Sequence, residues 1–296
     1  MTNAPAERTW IDRYWTSSDG LKLHYRDYDG PEDALPVLCL HGLTRNARDF
    51  ADVAEHLHGR HRVIVPELRG RGDSEYARDA STYTPLTYLA DLAALFDELA
   101  WQRFVAIGTS LGGILTMLYA LHRATTGQGP EIAGAVLNDI GPEIDANGLE
   151  RIRSYVGHGR SFPTWMHAAR ALMETSGDSF PDYDIEQWIG MAKRIMVVGQ
   201  NGRITYDYDM ALAEPFNQPG GEAGVDLWPA FEAMHDSPLT ILRGQLSDIL
   251  SRATLDEMLG RHPGALGVEV LRVGHAPMLD EDESLAAIDS LLSRSS

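Results

Sequence analysis

Phe104-Val105-Ala106-Ile107-Gly108-Thr109-Ser110-Leu111-Gly112-Gly113 is an apolar run that breaks into a G-x-S-x-G turn and passes at once into the helical stretch Ile114 to Arg123. A strand that turns sharply into a helix holds the central serine in strained backbone geometry, with its hydroxyl presented to solvent or substrate. The flanking Gly108 and Gly112 are required because a Cβ on either side would collide with the tight turn. The first N–H groups of the following helix have no intrahelical acceptor, and they place the positive end of the helix dipole at the same point.

A serine hydroxyl attacks only when a neighbouring base takes its proton, and that base needs a third group to orient it. After an elbow of this kind the order along the chain is serine, acid, histidine, with the later two on loops that follow strands. Pro238 to Gly244 reads as a short buried strand, and Asp248 lies four residues beyond its glycine. Val268 to Gly274 reads as another strand and delivers His275. The expected set is therefore Ser110, Asp248 and His275, with Asp139, which also follows a strand, as the alternative acid. Attack on a carbonyl puts negative charge on its oxygen, and a donor aimed at that oxygen contributes roughly 3 kcal/mol. One donor is expected from the N–H of Leu111. The other is expected from the N–H of Leu43, since Pro36 to Leu40 reads as a strand and His41-Gly42-Leu43 as the loop after it.

The ordered set His41-Gly42, Pro66 to Ser74 (PELRGRGDS), Gly108 to Gly113 (GTSLGG), Arg243-Gly244 with Asp248, and Gly274-His275-Ala276-Pro277 resembles the α/β-hydrolase superfamily. It is similar to the branch with a helical cap, which holds small esterases, lactonases, epoxide hydrolases and carbon–carbon bond hydrolases. The resemblance runs from about residue 10 to residue 292 and implies an α/β fold: a mainly parallel central sheet flanked by helices, with a helical cap inserted over the site. The motifs speak for the fold more than for the substrate. Family members that open epoxides or cleave carbon–halogen bonds attack with an aspartate at the elbow, so Ser110 directs the reading to acyl transfer.

The coarse pattern agrees. Trp10 to Thr16 and Leu21 to Tyr28 form a hairpin, Arg62 to Val65 a strand, and Ile132 to Leu137 another. Pro85 to Leu99 has helical periodicity, with Leu86, Leu89, Leu92, Leu95 and Leu99 read as its buried face. Strands joined through helices make a parallel sheet with ligands at its carboxyl ends. After Pro142 the alternation stops for about ninety residues. Helical patterns at Leu149 to Val156, Thr164 to Met173 and Ile185 to Val198 assign residues 143–222 to the cap, and residues 1–142 and 223–296 to the core, with Val225 to Met234 returning the chain. Most of the cap's large apolar groups (Tyr155, Phe162, Trp165, Met166, Trp188, Met191, Met196, Tyr206, Tyr208) are expected to form its own core, and the rest to face Ser110.

The chain has 296 residues, 44% of them hydrophobic, and carries 43 acidic against 25 basic groups for a formal charge of −18. That balance argues against nucleic acid or an anionic membrane as partner. The single cysteine, Cys39, sits in an apolar strand and excludes an internal disulfide. The polar start of the chain has no secretory h-region, and the default expectation is a cytoplasmic monomer or homodimer. His56, His58 and His61 lack the spacing of a known metal site, and Gly70-Arg71-Gly72 lacks the third glycine of a dinucleotide loop, so neither metal nor organic cofactor is expected. Arg45 and Arg48 follow the oxyanion loop, where a guanidinium can grip a substrate carboxylate; Arg69, Arg71 and Asp73 are read as braces of the glycine-rich loop. The expected activity is hydrolysis of a small carboxylic ester or lactone. Two other readings stand beside it: a carbon–carbon bond hydrolase of ring-cleavage products, which the Gly112-Gly113 pair also suits, and a ligand receptor built on the same fold.

Overall fold

The computed structural model describes residues 8–218 and 226–295; the expected cap boundary at residue 222 and the start of the return segment at Val225 lie outside them. The chain opens with a hairpin of β1 (Trp10–Thr16) and β2 (Lys22–Tyr28), followed by β3 (Val37–Leu40), α1 (Ala51–Leu57), β4 (Val63–Pro66) and α2 (Pro85–Leu99). Next come β5 (Arg103–Thr109), α3 (Leu111–Thr126) and β6 (Glu131–Asn138). The inserted segment holds α4 (Ala146–Tyr155), β7 (Ser161–Phe162), α5 (Trp165–Ser176), α6 (Ile185–Ile195), β8 (Met196–Val198), β9 (Ile204–Tyr206) and α7 (Ala213–Phe216). The fold closes with α8 (Trp228–Glu232), β10 (Leu239–Gly244), α9 (Arg252–Arg261), β11 (Leu266–Val270) and α10 (Asp282–Ser295).

Eight strands form one sheet in the order β1-β2-β4-β3-β5-β6-β10-β11. β2 pairs antiparallel with β1 and β4, and every pairing from β4 to β11 is parallel. Parallel strands covered on both faces read as continuous apolar runs rather than alternating ones. β3, β4 and β10 are accordingly buried at every position. One face packs on α2, α3 and α8 through Leu92, Leu95, Leu115 and Phe231; the other packs on α1 and α10 through Val53, Leu57, Ile288 and Leu291.

α2 starts where its sequence directs. Thr84 caps the amide of Thr87 and Pro85 occupies the first turn, where its missing N–H costs nothing. The buried face, however, is Tyr88, Leu92, Leu95 and Phe96, and Leu86 is 77% exposed. The leucines alone suggested a stripe rotated from the true one, because Tyr88 and Phe96 also belong to the core. β11 ends at Val270 rather than Gly274, since Arg272 takes positive φ (59°) and turns the chain towards His275.

The inserted segment is not purely helical. α6, capped by a reciprocal pair of bonds between Asp184 and Gln187, stops at Ile195, and Met196–Val198 leaves it as a strand. β7, β9 and β8 make a three-stranded antiparallel sheet in that order. The β-branched pair Val197-Val198 favours a pleated backbone over another helical turn. Phe162, Trp188, Met191, Met196 and Ile204 form an apolar cluster that the segment shares with Val270, Val273 and Met278 of the main domain, so it is not a core of the segment's own.

Main-chain bonds stitch this segment to the glycine-rich loop. Gly72 N–H donates to the Asp207 carbonyl (3.2 Å) and Asp209 N–H donates to the Gly70 carbonyl (2.8 Å). Tyr83 Oη donates to Asp209 (2.6 Å), and Arg48 donates to both Asp207 (2.7 Å) and the Arg194 carbonyl (2.8 Å).

Candidate functional site

β5 lies between β3 and β6, and its end brings Ser110 to the carboxyl edge of the sheet. Ser110 has φ 53° and ψ −116°, the strained turn that the G-x-S-x-G pattern predicts. The two glycines are needed for close approach. A Cβ on Gly112 would stand 1.9 Å from the Leu40 carbonyl oxygen, and one on Gly108 would stand 2.5 Å from the Gly112 backbone. Ser110 N–H donates to the Asn138 carbonyl (3.1 Å), which ties the elbow to the end of β6.

His275 stands across from this serine with Nε2 3.0 Å from Ser110 Oγ. Its other ring nitrogen, Nδ1, lies 2.7 Å from Oδ2 of Asp139. The structure thus corrects the expected acid: the carboxylate on His275 belongs to Asp139 and not to Asp248. Asp139 directly follows β6 with φ 55°, a left-handed conformation that aspartate tolerates better than most residues. It is fully buried, and its carboxylate also accepts from Gly244 N–H (2.8 Å) and Ser247 Oγ–H (2.6 Å). The turn after β10 therefore aims Ser247 inward and Asp248 away. Asp248 receives a bidentate pair from Arg151 of α4 (2.5 and 2.7 Å). Burial opposes its ionisation, but the Arg151 guanidinium holds its carboxyl below the usual carboxylate range. Its backbone lies against the same helix, since a Cβ on Gly148 would meet the Asp248 carbonyl oxygen at 2.1 Å.

Leu43 and Leu111 both border a cavity that includes Ser110. Among the described residues, neither N–H is matched to an acceptor. The Leu43 loop is fixed from beneath by Arg71, which donates to the Leu43 carbonyl (2.9 Å), the Arg69 carbonyl (2.7 Å) and Tyr88 Oη (3.1 Å). Arg69 grips Asp91 and Asp19, so both arginines brace the loop as expected. His41 is fully buried; its Nδ1 donates to the Gly42 carbonyl (2.8 Å) and its Nε2 accepts from Leu68 N–H (3.1 Å). Burial, with Arg71 nearby, pushes its pKa down to about 4, which makes it a neutral shaping residue rather than a base.

Two cavities meet at Ser110. One, about 60 Å³, is bordered by Arg45, Asp49, Tyr155 and His275 as well as Gly42 and Leu43. The other, about 70 Å³, is walled by Leu111, Ile114, Ile140, Leu149, Leu212 and other apolar side chains. Ile152 of α4 borders both. Of the large cap residues singled out from the sequence, only Tyr155 borders either one. The remaining wall from this segment is Ile144, Leu149, Ile152 and Leu212 with one aromatic, Phe216, and has no motif that marks it in the sequence. His56 instead pairs with Asp289 (2.9 Å), and His61 bonds the Leu35 carbonyl (2.8 Å). Among the described residues, the one set of three side chains close enough to suggest a metal is His24, Glu67 and Asp73. Both His24 ring nitrogens are already engaged there, by Glu67 (2.8 Å) and Asp12 (3.0 Å). Among the described residues, no helix is long and apolar enough to cross a membrane.

A family model described as alpha/beta hydrolase family matches residues 37–288. The chain is 34% identical over 273 residues to a 3-hydroxybutyrate-oligomer hydrolase of Cupriavidus necator, covering 90% of each chain. It shares 58% identity with an alpha/beta hydrolase from Novosphingobium aromaticivorans whose crystal structure superposes with a TM-score of 0.92, covering 98% of this chain and 100% of that one. A shorter match, 29% over 164 residues, links 55% of the chain to 58% of Lipase LipV of Mycobacterium tuberculosis. The elbow, the sheet order and these likenesses agree: the chain belongs to the alpha/beta hydrolase family.

Proposed function

We propose that this protein is a serine hydrolase of small carboxylic esters, with Ser110 as nucleophile, His275 as base and Asp139 as the acid that orients it. The unbroken relay from Ser110 Oγ through His275 to Asp139, at 3.0 and 2.7 Å, carries the reading. As Ser110 Oγ attacks the ester carbonyl, its proton moves to His275 Nε2, and the imidazolium so formed is held by the Asp139 carboxylate. The N–H groups of Leu43 and Leu111 receive the oxyanion. Collapse of the tetrahedral adduct breaks the ester C–O bond, and His275 returns the proton to the leaving alcohol. Water, deprotonated by the same nitrogen, then attacks the acyl-enzyme and frees the acid with Ser110 restored. The same steps open a lactone.

The relative named for 3-hydroxybutyrate oligomers spans nearly the whole chain, which favours esters of short hydroxy acids over long-chain lipids. Cavities of about 60 and 70 Å³ beside Ser110 suit acyl and alcohol parts of a few carbons. The test is turnover of p-nitrophenyl acetate, butyrate and octanoate and of the linear 3-hydroxybutyrate dimer, with Ser110→Ala beside the parent. Multiple turnovers on the short esters, reduced about 10⁴- to 10⁶-fold in the variant, are expected. Turnover that survives Ser110→Ala would remove the acyl-enzyme mechanism, and a single burst without turnover would show acylation without the hydrolysis proposed here.

A further inference from the structure

The two cavities differ in kind, and His275 borders only the first. In ester cleavage the leaving oxygen must take its proton from His275 Nε2, so the alcohol part lies on the His275 side and the acyl part against the apolar wall. The alcohol side is also where a cation stands. Arg45 and Ser110 line the same cavity and flank Gly42, whose Cβ, if built, would lie 3.5 Å from Arg45 Cγ and 3.7 Å from Ser110 Cβ.

Arg45 and its neighbour Arg48 are in different situations. Arg48 is committed to holding the cap, through Asp207 and the Arg194 carbonyl. Among the described residues, the Arg45 guanidinium meets one carboxylate, Asp49, through Nη1 at a long 3.3 Å. Asp49 is its i+4 neighbour, a pairing that steadies the side chain and leaves the other edge of the guanidinium fork for a second carboxylate. Tyr155, from the cap, borders the same cavity.

We infer that Arg45 binds a carboxylate on the leaving alcohol, so that the preferred substrates are esters whose alcohol part is a short hydroxy acid with a free carboxylate. The inference rests on the ester-hydrolase reading. It assigns direction to an oligomer: the unit at the carboxylate end sits on the Arg45 side and leaves as the alcohol, while the remaining acyl part is carried on Ser110. One water is consumed per unit, releasing one hydroxy acid and an oligomer shorter by one with a new free carboxylate.

The probes are 3-(butyryloxy)butyrate and its neutral carboxamide, each holding one ester bond, with butyrate release measured for the parent, Arg45→Met and Arg45→Lys. The parent is expected to favour the acid by about tenfold to a hundredfold in kcat/KM, the range of a charge-assisted hydrogen bond, chiefly through KM. Arg45→Met should collapse that ratio towards one, and Arg45→Lys should give an intermediate ratio because a lysine keeps the charge without the fork. A parent ratio near or below one, or a ratio unchanged in Arg45→Met, overturns the inference. Calorimetric titration of the acid into Ser110→Ala, with and without Arg45→Met, reads the subsite without turnover. Binding that requires Arg45 in an enzyme that cleaves no ester refutes the proposed activity and upholds the carboxylate site. Ester turnover with binding indifferent to Arg45 does the reverse.

Discussion

Exchange of the Asp139 carboxylate for a carboxamide is the sharpest perturbation of the relay, because Asp139→Asn keeps shape and removes one acceptor. The two oxygens have different duties: Oδ1 accepts from Gly244 N–H, and Oδ2 accepts from Ser247 Oγ–H and lies on His275 Nδ1. If the amide oxygen of the variant takes the Oδ2 position, its NH2 meets the Gly244 N–H donor to donor. That leaves buried donors unpaired at about 1–3 kcal/mol. If the amide turns round, its NH2 faces Nδ1, and the ring must carry its proton on Nε2, where it cannot accept from Ser110. Either way the imidazolium loses its counter-charge. The corresponding change in serine proteases lowers kcat about 10⁴-fold, and at 1.36 kcal/mol per decade this is about 5 kcal/mol of barrier. Asp248→Asn removes the pair with Arg151, whose side chains are 34% and 28% exposed, and a weaker charge interaction with His275, and the expected loss in kcat is less than about tenfold. The assay is kcat on p-nitrophenyl butyrate for both variants, with thermal unfolding as a folding check. A folded Asp139→Asn enzyme within tenfold of the parent, with Asp248→Asn severely impaired, would refute the assignment and restore the acid expected from the sequence.

Gly112→Ala forces a methyl into the Leu40 backbone, which cannot swing aside like a side chain; a loss of about 3 kcal/mol or more in urea unfolding and near-complete inactivation are expected, and a stable, active variant would contradict the close approach. Gly190 lies exposed in the interior of α6 with open space around its Cβ position, so Gly190→Ala should stabilise the fold by about 0.5–1 kcal/mol, read as a raised midpoint in thermal or urea unfolding. His24 supplies a pH dependence: burial works against its charge, but Glu67 and Asp12 outweigh burial and raise its pKa above 6.5. A raised folded value means a contribution that is full below the unfolded value and fades as pH rises through the folded one, so the stability gap between the parent and His24→Asn should be widest near pH 6 and should shrink as pH rises above that folded value. A gap that widens with pH would show that the ring is neutral in the folded protein.

The strands, the elbow and His275 could be read from sequence because each rests on local constraints: apolar runs bounded by glycine, and glycines where no Cβ fits. The acid could not be fixed this way. Asp139 and Asp248 both follow strands that end beside the site, and the choice between them depends on how one turn after β10 rotates, with Ser247 facing inward and Asp248 meeting Arg151 more than ninety residues away in the chain. The contact with α4 is long-range and leaves no period in the sequence. Asn138-Asp139 at the end of an apolar strand was the available signal, since aspartate is among the few residues that accept the left-handed backbone found there. The small cap sheet was hidden for a related reason: Met196–Val198 extends the apolar pattern of α6, and only pairing with β9 decides that it is a strand. Cap side chains bordering the cavities are mostly aliphatic, and aliphatic residues look alike whether they fill a core or face a ligand.

The main-chain stitching between Gly70–Gly72 and Asp207–Asp209 limits how the cap can move. Two covalent crossings alone would give the inserted segment an axis to swing about, like a lid on a pair of pins. The stitching, reinforced by Tyr83 and Arg48, fastens it at a further place and opposes that rotation. α4 is fastened as well, by Arg151 on Asp248, by Asp145 N–H on the Ile249 carbonyl (3.0 Å) and by Gly148 against the Asp248 backbone, so the roof is pinned at several places rather than hinged at one.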